Sequence, residues 1–170
     1  MSAAATAVPE EQYSERTGKT AYLHPGQLMA FSGPAVMTTV LGSCVSVCLY
    51  DEQAQAGGMN HFVLPEGLPS DRESARYAQP ACERLLARVL ELGGRRERLA
   101  AKLFGGASSM QRLVGRASVG ENNVAAAKRW LEHERIAIAA VETGGEFGRR
   151  LAFEIPSGAV WVRLLKGGAR

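Results

Sequence analysis

Residues 36–50 read VMTTVLGSCVSVCLY, and this stretch restricts the fold more than any other. Val36 to Leu41 is short and rich in β-branched residues, which suits a strand. Gly42-Ser43 interrupts it. From Val45 the pattern alternates, with Val45, Val47 and Leu49 on one face and Cys44, Ser46, Cys48 and Tyr50 on the other. Further strand-like runs are Met59 to Leu64, stopped by Pro65, then Leu99 to Phe104 and Ile136 to Val141. Leu151 to Ile155 and Ala159 to Leu165 flank Pro156-Ser157-Gly158 as a hairpin. Helical spacing occurs twice. One helix starts near Pro80, carries Ala81, Leu85, Leu86, Val89, Leu90 and Leu92, and stops at Gly93-Gly94. The other is capped by Asn122 or Asn123 and runs to about Glu134. The order β-β-β-α-β-α-β-β-β predicts an α+β fold with mixed layers rather than regular βαβ alternation.

Residues 1–20 are rich in Ala, Glu, Ser and Thr without periodicity, and are expected to form a flexible tail. Residues 21–170 are expected to form one domain, with a turn at His24 to Gln27. No apolar run approaches the roughly 20 residues that span a bilayer, and the N-terminus lacks a secretory pattern, so a cytoplasmic protein with no membrane insertion is expected. An odd count of three cysteines argues against a disulfide framework. The net charge is only +3 and aromatics make up 6% of the chain. The cluster Arg95, Arg96, Arg98 and Lys102, with Glu97 among them, therefore reads as a solvated face and not as a nucleic-acid patch.

The chemistry concentrates at Cys44 and His61. If the two flanking strands form a hairpin with a four-residue connection from Asp51 to Ala54, Tyr50 faces Gln55. Cys44 then faces His61 directly, with Cβ atoms roughly 4.5–5.5 Å apart. A register shift by one would put them on opposite faces. Cys48 lies about 13 Å further along the strand, too far to join Cys44 in a disulfide or a shared zinc site. Cys48 and Cys82 read as small buried hydrophobes. At Gly42 and Ser43 a sharp turn would let backbone N–H groups cradle an oxyanion. A cysteine opposite a histidine makes an acyl-transfer nucleophile once a third polar group orients the base, and Thr38 and Thr39 lie just upstream. The residues alone leave a second reading open, a core cysteine beside a satisfied histidine. His24 and His133 read as surface residues. The glycine-rich FGGASSM and TGGEFG lack phosphate-loop spacing and read as tight turns.

The segments TTVLGSCVSVCLYD and GGMNHFVLP resemble the chemoreceptor glutamine deamidases, the CheD family of bacterial chemotaxis. YLHPGQL, RYAQPACERLL, AKLFGGASSM, VGENN and ETGGEFGRRLAFEIPSG extend the resemblance over roughly Tyr22 to Leu165. It implies a layered α and β fold similar to the deamidase domain of cytotoxic necrotizing toxins. It also implies a Cys-His-Thr triad of Cys44, His61 and Thr38, with Thr39 as the adjacent alternative, and no metal or organic cofactor. The implied reaction converts receptor glutamines to glutamate, with glutamate methylester hydrolysis in some members; a Cys44 nucleophile would be expected to pass through a thioester. The implied partners are the cytoplasmic domains of methyl-accepting chemotaxis receptors and a CheC-type phosphatase. A non-catalytic module that binds such a phosphatase is the alternative. Asn122 stands where the family usually carries arginine, and Gln79 where an acidic residue is common.

Overall fold

The computed structural model describes residues 19–71, 73–108 and 116–166. The expected tail therefore falls almost wholly outside the described residues. In chain order the elements are β1 Thr20–Tyr22, β2 Leu28–Ser32, β3 Ala35–Leu41, β4 Val45–Asp51, β5 Ala56–Asn60, α1 Ala78–Glu91, β6 Ala100–Gly105, α2 Val119–His133, β7 Ala137–Thr143, β8 Arg149–Ile155 and β9 Val160–Leu164. The strands form two sheets, one ordered β1-β3-β8-β9 and the other β2-β5-β4-β6-β7.

The alternation in β4 explains the layering. Val45, Val47 and Leu49 pack with α1 residues such as Leu85 and Val89 and α2 residues such as Leu131. Cys48 packs the other way, against Met37, Leu41, Leu151 and Phe153 of the first sheet. The five-stranded sheet is thus covered by helices on one face and by the four-stranded sheet on the other, the α+β layered architecture read from the sequence.

The helices follow from local signals. In α1 the buried residues Ala78, Ala81, Cys82, Leu85, Leu86 and Val89 recur at helical spacing. Ser118 caps α2, accepting from the Glu121 N–H while the Glu121 carboxylate accepts from the Ser118 N–H. The expected cap at Asn122 or Asn123 is displaced by this box, which starts the helix one turn earlier.

The hairpin register differs from the expected one. Tyr50 pairs with Gly57 and Asp51 with Ala56, so the pairing slides by two residues relative to Tyr50 against Gln55. The connection is still four residues, Glu52 to Gln55, but sits one residue later. Asp51 sets it: its carboxylate accepts from the Ala54 N–H and pairs with the Arg98 guanidinium, while Gln55 adopts a left-handed φ of 52°. A slide by two preserves the face. Cys44 and His61 stay on the same side of the sheet, offset rather than opposed. The expected strand Met59 to Leu64 also ends early, at Asn60. There the Asn60 side chain takes over from the ladder, its Oδ1 accepting from the Val47 N–H at 2.8 Å.

Candidate active site

Cys44 lies where the chain crosses from one sheet to the other, between the end of β3 and the start of β4. The crossing is held by backbone bonds. Gly106 N–H donates to the Cys44 carbonyl and Ala107 N–H to the Gly42 carbonyl, each at 2.9 Å. Val45 and Phe62 exchange N–H···O bonds at 3.0 and 3.1 Å, which moors the crossing beside the segment that carries His61. The glycines of FGGASSM make this shelf. Gly105 has a φ of +109°, and a Cβ there would lie 2.2 Å from the Cys44 carbonyl oxygen. Only glycine lets β6 pass so close. Gly42 itself does not adopt a left-handed φ, and a Cβ on it would meet nothing within 4 Å. The expected sharp turn is therefore not what requires glycine at that position.

His61 sits immediately after β5, pinned through its backbone. Its N–H donates to the Gln27 carbonyl at 2.9 Å, and its carbonyl accepts from Gly26 at 2.8 Å. The ring reaches the space between the sheets. Its Nδ1 lies 2.8 Å from Thr39 Oγ1, and the Thr39 hydroxyl donates to the Leu23 carbonyl at 2.8 Å. That second bond fixes the roles. With its proton committed to Leu23, Thr39 Oγ1 accepts from Nδ1–H, so the neutral ring keeps its lone pair on Nε2. Nε2 is buried without a hydrogen-bond partner among the described residues.

Of the two threonines named from the resemblance, the structure brings Thr39, and not Thr38, to the His61 ring. Thr38 and Thr39 alternate across β3, and only the Thr39 face, shared with Met37 and Leu41, looks into the space between the sheets. Thr39 is fully buried. Thr38 is half-buried and pairs through its backbone with Tyr22 and Ala152.

The electrostatics describe a neutral resting pair. Burial, with the nearby charge of His24, pushes the His61 ring from its ordinary 6.5 to about 4. The Cys44 thiol is half-buried, and desolvation raises it above its ordinary 9.0, against the opposing pull of its own backbone N–H and of Arg76. At pH 7 the Cys44 thiol and the His61 imidazole are thus both neutral. The His61 shift also has a stability consequence. Between pH 6.5 and about 4 the unfolded chain carries a proton on His61 that the folded chain refuses, so stability falls as pH falls through this window. The increment is about 3 kcal/mol. Urea unfolding at pH 7 and pH 4.5 should show it, and His61→Gln should lose that part of the acid sensitivity.

The remaining candidates separate. Cys48 and Cys82 are fully buried free thiols whose pKa values burial raises, that of Cys82 to about 12 with Asn60 Nδ2 donating to its sulfur at 3.5 Å. Among the described residues no three His, Cys, Asp or Glu side chains converge as a metal-binding group. His133 and His24 lie on the surface, His133 against Glu134 and His24 edge-on to Tyr22. In the basic cluster, Arg98 pairs with buried Asp51, Arg96 with Glu134 and Arg95 with Glu97, while Lys102 Nζ donates to the Gly158 carbonyl. Gln79 and Asn122 are exposed on their helices. Asn123 is the residue that sequence reasoning misplaced. It is fully buried, and its Nδ2 donates to the Ser43 and Val63 carbonyls, each at 2.9 Å. A signal was present: Asn123 lines up with Ala126, Ala127 and Trp130 at helical spacing, a polar residue inside an apolar stripe.

Residues 63–164 match the family model described as CheD chemotactic sensory transduction. A protein of Anaeromyxobacter dehalogenans, named "Probable chemoreceptor glutamine deamidase CheD 1", is 46% identical over 145 residues, covering 85% of this chain and 84% of its own. A Rhodospirillum rubrum protein named "Probable chemoreceptor glutamine deamidase CheD" is also 46% identical over 145 residues, with 85% and 82% covered. This chain belongs to the CheD family. A third relative of the same name, from Trichlorobacter lovleyi, is 41% identical over 139 residues, with 82% and 86% covered. The CheD model begins at residue 63, two positions after His61. Cys44, His61, Thr38 and Thr39 therefore lie outside the matched residues. No helix among the described residues is long and apolar enough to cross a membrane.

Proposed function

We propose that this chain is a protein-glutamine deamidase acting on chemoreceptors, with Cys44 as nucleophile, His61 as base and Thr39 as the residue that orients the base. The relatives' names supply the substrate class. One observation carries the mechanism: Thr39 binds Nδ1 of His61 and leaves Nε2 as an unpartnered base between the sheets, near the crossing that bears Cys44.

As Sγ attacks the carboxamide carbon, Nε2 takes the thiol proton. A tetrahedral oxyanion forms, and the backbone N–H of Cys44, which also pulls down the pKa of its own thiol, is a fixed donor available to it. His61 then returns the proton to the departing amine, and ammonia leaves a thioester on Cys44. Water, deprotonated by Nε2, attacks that thioester. The products are a glutamate side chain and the regenerated thiol. The same thioester would form from a methyl ester with methanol leaving. Each turnover replaces a neutral side chain with a carboxylate, which changes charge repulsion within a receptor's helices.

The test is incubation with a chemoreceptor cytoplasmic fragment, reading ammonia release and a mass gain of about one dalton per modified glutamine. A chain that bound a CheC-type phosphatase and released no ammonia would favour the binding-module reading. The base-orienting role is tested with isosteric changes. Thr39→Val should lower kcat roughly 10–100-fold by freeing the imidazole to change tautomer and orientation. Thr38→Val should stay within about twofold. The reverse order would return the role to Thr38.

A further inference from the structure

Asn123 is buried in the first turns of α2, yet it faces the nucleophile's loop and not the hydrophobic interior alone. Its two amide hydrogens are both used, on Ser43 O and Val63 O. These acceptors settle the orientation of the amide, since a flipped side chain would set Oδ1 against two carbonyl oxygens. Oδ1 is left buried without a partner among the described residues.

The Ser43 carbonyl and the Cys44 N–H belong to one planar, trans peptide, so they point in opposite directions. Asn123 draws the carbonyl toward α2. The N–H is thereby turned away from the helix, to the side where it acts on the Cys44 sulfur. No backbone carbonyl among the described residues accepts from it. The other hydrogen bond reaches Val63, two residues beyond His61, so a single side chain ties the nucleophile's loop to the base's segment.

We propose that Asn123 is a positioning residue for the oxyanion donor: by holding Ser43 O it fixes the Cys44 N–H toward the site where the tetrahedral oxyanion forms. This rests on the deamidase reading of the same site. The test uses the full chain and two variants, Asn123→Leu and Asn123→Ala, assayed for deamidation of a receptor fragment, for thermal unfolding, and for Cys44 alkylation by iodoacetamide. Displacing one oxyanion donor should lower kcat about 10²-fold. KM should stay within about twofold. Alkylation displaces iodide from a saturated carbon and forms no oxyanion, so its rate should fall far less than kcat, only through the rise in thiol pKa that follows when the N–H leaves the sulfur.

Three results would overturn the proposal: kcat within about threefold of the parent in both variants, an alkylation rate that falls in step with kcat, or loss of cooperative folding in both variants. The last two would make Asn123 a structural residue only. If the parent chain releases no ammonia, the deamidase reading falls first and takes the proposal with it. A parent that deamidates, beside variants that do so equally well, removes the proposal alone.

Discussion

Cys44→Ala should reduce ammonia release from a receptor fragment to the assay floor, a loss of about 10⁶-fold if nucleophile and base act as one unit. The variant should remain folded. The bonds that hold the crossing are made by backbone atoms: Gly106 and Ala107 N–H groups, and the reciprocal pair between Val45 and Phe62. None involves the thiol, which is half-buried and packs against the cluster between the sheets without being one of its fully buried members. Circular dichroism and the unfolding midpoint should therefore match the parent closely. The contrast is with Cys48, fully buried between the sheets against Met37 and Phe153. Truncation there should lower stability while leaving turnover per folded molecule intact. Mass spectrometry adds a positive readout: rapid quenching of the parent with substrate should catch an acyl adduct on Cys44 that the alanine variant cannot form. Turnover by Cys44→Ala at even roughly a tenth of the parental rate would dismiss the nucleophile.

The parts of the fold that were legible in the sequence are those with a strong periodic signal. Strand β4 announces itself through alternation because each face meets a different apolar layer. Both helices show a buried stripe. Strands β1 and β2 were not legible. Strand β1 is three residues at a sheet edge, and the five residues of β2 are all partly exposed, so neither carries a two-fold pattern. The hairpin register was missed by two residues because Asp51, read as turn material, is the last paired strand residue. Its pairing with Arg98, 47 positions away, could not be seen locally. Cys44 and His61 still share a face, since a two-residue slide keeps side chains on the same side. The choice between Thr38 and Thr39 could not be made from spacing. It depends on which face of β3 meets the other sheet, a tertiary fact.

His61→Gln carries the second large effect, and its pH dependence distinguishes a base from a spacer. In the parent, the ring is neutral above about 4, so activity should rise through that region and stay level across neutral pH. The Cys44 thiol is raised above 9.0, so under about 1% of it is thiolate at pH 7. Without Nε2, attack must draw on that fraction, a loss of about 10²-fold or more. Loss of the acid that protonates departing ammonia removes a further 10²–10⁴-fold or so. The combined expectation is about 10⁴–10⁶-fold at pH 7. What remains should climb about tenfold per pH unit toward the thiol pKa, while the parent stays level over the same range. Gln at 61 can still hydrogen-bond Thr39, so a merely structural role would be largely preserved. A His61→Gln profile that runs parallel to the parent's would show that the proton is taken by some other group, and that Nε2, although buried and unpartnered, is not the base.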